Sequence, residues 1–280
     1  MTELKKHHTK TDGVEAYHWA NELDAERPSL VMVHGFRGDH HGMLKIATKL
    51  SANYNLFIPD LPGFGETPPL KDRRHDLGAY VDFLNQFIDS LELKTKPHLL
   101  AHSFGTTIAS AFVSSHADKV DRLILLSPIA TQPLPKVVNL VAKPMVSLLH
   151  IMPDRLGRLF TGTNLVADLM SASTTTTSDK NLRKWIKLEH RRYFNSFGSH
   201  RSMIEAMQAS NSRHVAEFAH GIPNHTLIIT GDKDAIGKSK HQVRLTQILK
   251  WSDIKVLPGV GHLTHYETPD QIAKYIQKFI

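Results

Sequence analysis

Ala101-His102-Ser103-Phe104-Gly105 places a serine between small residues, after an apolar run and before a helical one. A serine on a sharp strand-to-helix turn is pushed outward at the carboxyl end of its strand, where its hydroxyl is free to attack. The next N–H, that of Phe104, then points to where negative charge would collect, and the helix N-terminus adds positive potential. The bland alternative is a serine that merely caps a helix. A serine hydroxyl is a weak nucleophile near neutral pH. It needs a base, and the base needs an acid to orient it. Two downstream clusters offer these groups. Gly231-Asp232-Lys233-Asp234 follows the run ending at Thr230, and Gly259-Val260-Gly261-His262 follows the run Ile254–Leu257. Either aspartate could serve as the acid.

These groups meet only if a sheet gathers the strand ends. Short apolar runs at Ser29–His34, Tyr54–Ile58, Pro97–Ala101, Arg122–Leu126, His225–Thr230 and Ile254–Leu257 read as strands. Apolar residues recur at helical spacing over Met43–Leu50, Leu77–Leu91, Thr106–Ser115, Lys240–Leu249 and Pro269–Phe279. Strands apolar on both faces and separated by helices predict an α/β fold with a mostly parallel central sheet flanked by helices. Between about residues 131 and 215 the alternation stops, and helical patterns broken by prolines take over. The expected organisation is a core over 1–130 and 216–280, with a helical cap inserted at 131–215. Within the cap, Val137–Met152 is expected to form a lid over an acyl pocket or to pack on the core.

Taken in order, these pieces resemble the α/β-hydrolase superfamily, and in particular its serine hydrolases with a helical cap. The matching motifs are His34-Gly35, Asp60-Leu61-Pro62-Gly63-Phe64-Gly65, the serine turn with Ala101 in place of the usual glycine, Gly231–Asp234, and Gly259–His262. The resemblance assigns Asp234 as the acid, with Asp232 the alternative, and His262 as the base. It implies an oxyanion hole made by the backbone N–H groups of Phe36 and Phe104, and a structural role for Asp60 in its turn. It implies cleavage of carboxylic esters of small to medium apolar substrates through an acyl-enzyme. Two other readings stay open: a carbon–carbon bond hydrolase of the meta-cleavage-product type, and a non-catalytic ligand-binding member. The first is disfavoured because Leu263 stands where those enzymes tend to carry tryptophan. A serine at the turn, rather than an aspartate, disfavours dehalogenases and epoxide hydrolases.

Composition closes other routes. The 280 residues include no cysteine, which excludes disulfides, thiolate metal sites and a cysteine nucleophile. The 19 histidines show no metal-binding spacing such as His-Glu-x-x-His, so neither a metal nor any other cofactor is expected. The net charge of +7 is regional, because residues 133–219 hold 12 Lys and Arg against 6 Asp and Glu. No reading motif for nucleic acid accompanies it, and Lys180 to Arg192 reads as a solvated helix face. With no apolar segment long enough to span a membrane and no signal-like start, the expected setting is cytoplasmic and the expected partner a small-molecule ester. Arg37 is a candidate for a substrate carboxylate or for a pair with Asp39 or Asp60. His41, or His40 beside it, is a candidate for the pocket mouth. His265 and Tyr266 are read as packing.

Overall fold

The computed structural model describes residues 4–280, apart from Asp12 and 132–145. Eight strands form one sheet: β1 (Lys5–Thr11), β2 (Val14–Ala20), β3 (Ser29–Val33), β4 (Asn55–Pro59), β5 (His98–His102), β6 (Leu123–Leu126), β7 (Thr226–Gly231) and β8 (Ser252–Leu257). Their order is β1-β2-β4-β3-β5-β6-β7-β8, with the pairs β1–β2 and β2–β4 antiparallel and all others parallel. Every residue of β3 to β7 is buried, as the unbroken apolar runs require when both faces are covered.

Alternation along the strands splits the core in two. Leu30, Met32, Leu100 and Ile124 pack on α1 (Leu44–Leu50) and α10 (Pro269–Phe279). Val31, Val33, Leu99 and Leu125 pack on α2 (Leu77–Ser90) and α3 (Phe104–Ser115). Asp76 caps α2 by accepting the Ala79 N–H at 2.9 Å. The hairpin of β1 and β2 was not among the expected strands. β1 is polar and largely exposed, with lysines that suit an edge strand. β2 does alternate, burying Val14, Ala16, His18 and Ala20. His7 and His8 lie in β1, and both are exposed there.

Between β6 and β7 the described chain is helical: 146–151, then α4 (Asp154–Thr161), α5 (Asn164–Thr174), α6 (Lys180–Tyr193) and α7 (His200–Ser210). α7 sends Met203, Ile204, Ala206 and Ala209 into the core on the α2–α3 side. α6 places Ile186 on Leu263 and Tyr266. Most of the expected lid segment, 137–145, lies outside the described residues. The last helices before α10 are α8 (Ser239–Leu245) and α9 (Thr264–Glu267).

Candidate active site

Ser103 occupies the turn between β5 and α3 with φ 52° and ψ −122°. That is a strained conformation for a residue with a Cβ, and the surrounding structure must hold it. The Ser103 N–H donates to Leu126 O at 3.1 Å, which ties the turn to β6. Gly105 allows α3 to lie against β3, because a Cβ there would meet His34 O at 2.5 Å. Ala101 is fully buried and is accommodated where the resembling motif has glycine. The hydroxyl makes no capping hydrogen bond. It lies instead 2.8 Å from His262 Nε2.

His262 Nδ1 is 2.9 Å from Asp234 Oδ2. The other carboxylate oxygen, Oδ1, accepts the N–H groups of Ile236 and Gly237, each at 2.8 Å. Burial alone would raise the Asp234 carboxyl, but His262 and these N–H groups outweigh it and hold it below the ordinary range. A carboxylate there accepts Nδ1–H and leaves Nε2 free to take a proton from Ser103. Asp232 is placed differently. Its Oδ1 accepts the Gly259 N–H at 2.7 Å, bracing the loop that carries His262. His102, one residue before the serine, lies 3.1 Å through Nε2 from the carbonyl of His262. A carbonyl only accepts, so His102 Nε2 carries the proton. Complete burial pushes this imidazole down to about 3, so it stays neutral. Nothing in the sequence reading pointed to this contact.

The loop after β3 is built around a second buried histidine. His34 Nδ1 lies 2.8 Å from Gly35 O, and its Nε2 accepts the Leu61 N–H at 2.9 Å. Phe36 follows, and both Phe36 and Phe104 line the cavity above Ser103. Phe104 opens α3, so its N–H has no acceptor within the helix. Asp60 braces the same loop by accepting the N–H groups of His40 at 2.7 Å and Glu66 at 2.9 Å. Gly65, at φ 55°, leaves room for it, since a Cβ there would meet Asp60 Oδ2 at 2.1 Å.

Two expected substrate contacts are placed elsewhere. Arg37 is not among the cavity-lining residues and pairs with neither Asp39 nor Asp60. Its guanidinium donates to Phe194 O at 3.1 Å and to Thr161 O and Asn195 Oδ1 at 3.0 Å. The first two are carbonyls at the ends of α6 and α4, where a cation is favoured. Burial pushes Arg37 down to about 10, which leaves it charged at neutral pH. His41 stacks on Tyr193 with ring centroids 3.7 Å apart and lies 3.1 Å through Nδ1 from Asp39 Oδ1; it too is outside the cavity lining. Asp39, His40 and His41 hold possible metal-ligating atoms within 4.8 Å of one another. The His40 and His41 Nδ1 atoms are already engaged, with Asp60 and Asp39 respectively.

The cavity measures about 400 Å³. Phe36, Phe104, Ile129, Met170, Phe194 and Leu263 make its walls largely apolar. His265 and Tyr266, read as packing, also line it, as does His190 of α6. Sequence spacing marks His190 only as the residue one turn beyond Ile186 on the buried face of α6.

Residues 28–269 match the α/β hydrolase fold family, and the chain belongs to it. It is 22% identical to a cis-3-alkyl-4-alkyloxetan-2-one decarboxylase of Shewanella oneidensis, across 99% of this chain and 88% of that one. It is 24% identical to monoacylglycerol lipase abhd6-B of Xenopus laevis, across 91% and 75%. Among solved structures it is similar to a thermophilic esterase of Thermogutta terrifontis, with TM-score 0.79 and 19% identity across 98% and 97%. The protein is a hydrolase of this family.

Proposed function

We propose that the protein cleaves carboxylic esters of small to medium apolar substrates, with Ser103 as nucleophile, His262 as base and Asp234 as acid. The observation that carries this reading is the continuous hydrogen-bonded line from Ser103 Oγ through His262 to Asp234 at the floor of an apolar cavity. Ser103 Oγ attacks the ester carbonyl while its proton passes to His262 Nε2. The carbonyl oxygen becomes an oxyanion, held by the N–H groups of Phe36 and Phe104. His262 returns the proton to the leaving alkoxide, and the acyl group stays on Ser103. Water then attacks the acyl-enzyme, gives a proton to His262, and the acid leaves as Ser103 regains its hydrogen. Asp234 stays ionised throughout and stabilises the imidazolium. The described helices between β6 and β7 act as the cap that walls the acyl group from solvent.

The test is a panel of p-nitrophenyl esters with wild type and Ser103→Ala. The variant is expected to lose about 10³-fold or more in kcat, as removal of one member of such a unit does. Equal activity of the two proteins would overturn the assignment. Turnover of a vinylogous diketone without any ester turnover would replace it with carbon–carbon cleavage.

A further inference from the structure

Among the described residues, most exposed large apolar side chains fall within 148–188, on the helices between β6 and β7. α4 shows the oddity most clearly. Its apolar residues Leu156, Leu159 and Phe160 form one stripe at helical spacing, which would ordinarily face the core. They are instead 51%, 68% and 62% exposed. The side packed inward is the other one. Gly157 is the helix's only buried residue, and a Cβ on it would run into the His200 ring. Arg158 is held by Asp154 at 2.8 Å and by the carbonyls of Phe197 and Gly198 at 3.0 and 2.7 Å. α4 is thus mounted with its apolar stripe toward solvent.

The next two helices also carry exposed apolar side chains. α5 follows α4 after two intervening residues and exposes Leu165 and Leu169. α6 lies beside α5, joined to it by Asp168, which pairs with Lys187 at 3.1 Å and Arg191 at 2.6 Å. Leu188, next to Lys187, is half-exposed, and Lys180, Lys184 and Arg192 stand in solvent on the same helix. Residues 154–193 carry 8 Lys and Arg against 4 Asp and Glu. Apolar side chains interleaved with surplus cations fit a partner that is oily beneath and anionic at its surface. The same helices wall the cavity through Met170, Thr174 and His190.

We propose that α4, α5 and α6 dock onto anionic lipid membranes, with Leu156, Leu159, Phe160, Leu165 and Leu169 entering the headgroup boundary and the α6 lysines meeting the headgroups. The surface lies on the outside of the cavity wall, so docking sets the cavity beside the lipid phase. It does not depend on which bond the site cleaves.

The experiment is co-sedimentation of the full chain with vesicles of phosphatidylcholine alone and of phosphatidylcholine with phosphatidylglycerol. Wild type is expected to partition roughly tenfold more strongly onto the anionic vesicles at low salt, and to lose that preference as salt screens the charges. Leu159→Gln/Phe160→Gln/Leu165→Gln is expected to reduce binding to both vesicles about tenfold, since buried apolar area is lost while charge is kept. Lys180→Gln/Lys184→Gln is expected to remove the anionic preference alone. Circular dichroism checks that each variant is folded; all five side chains are exposed, so folding is expected to survive. Wild type that binds neither vesicle, or variants that bind as wild type does, would overturn the proposal. So would a wild-type dimer, seen by light scattering and dissociated by the triple variant, in the absence of vesicle binding: the face would then be an interface between two copies of this chain.

Discussion

Asp234 and Asp232 are two residues apart, yet different groups reach them. Asp234 receives His262 Nδ1 on one oxygen and two backbone N–H groups on the other, whereas Asp232 receives one N–H from Gly259. Asp234→Asn keeps the shape but loses the charge and favours the wrong histidine tautomer. It is expected to lower kcat on p-nitrophenyl butyrate by about 10⁴-fold. Asp232→Asn keeps an oxygen for Gly259 and should cost less than about tenfold; equal losses would exchange the two roles. His102 acts at one remove, through the carbonyl of His262. His102→Phe removes that donor and is expected to lower kcat roughly 10- to 100-fold by letting the base shift. His102→Gln, which can still donate, should recover most of the loss, and failure of that rescue would make His102 a packing residue only.

At the scale of elements, Arg37 and the His41–Tyr193 stack couple the loop after β3 to the helices between β6 and β7. Arg37 follows Phe36 and closes the carbonyl ends of α4 and α6. Arg37→Ala leaves those carbonyls without their donor and is expected to cost about 2–4 kcal/mol in urea unfolding, the range for several lost charge-assisted hydrogen bonds. Arg37→Lys should restore little, because an ammonium cannot span three acceptors set for a guanidinium. Faster proteolytic nicking between β6 and β7 in Arg37→Ala would place the weakness there, and uniform loss throughout the chain would not. The strand and helix register was legible where runs were apolar on both faces, as in β3 to β7. β1 escaped because a polar edge strand has no such run. The placement of Arg37 was illegible because its partners lie more than a hundred residues away in sequence.

For the whole molecule, buried neutral histidines set the response to acid. Burial pushes His18 and His190 down to about 4 and His102 to about 3. Unfolded, each would bind a proton near its ordinary value of about 6.5. Between those values the unfolded chain holds more protons, so stability rises with pH across that window and falls as pH drops through it. Asp234, held low in the fold, adds to the loss only at still lower pH. The melting temperature is therefore expected to decline steadily from pH 6.5 toward pH 4. His18→Phe, which keeps an aromatic ring against Phe87, should make that decline shallower. A flat profile across the window would show that these histidines are protonated in the fold. The regional charge reads differently in three dimensions. Lys187 and Arg191 are paired with Asp168, while Lys180, Lys184 and Arg192 remain in solvent.

The sequence alone determined the sheet's central strands, the serine turn, and the two downstream clusters that offer a carboxylate and an imidazole. Those features are local: a five-residue buried run, a glycine that lets a helix approach a strand, a residue just past a strand end. Only the tertiary structure decided which aspartate reaches His262, that Arg37 turns to the ends of α4 and α6 rather than the cavity, and that α4 presents its apolar stripe outward. Each of those depends on distances between segments far apart in the chain. Period and composition fix what a helix face contains, and packing fixes which way that face points.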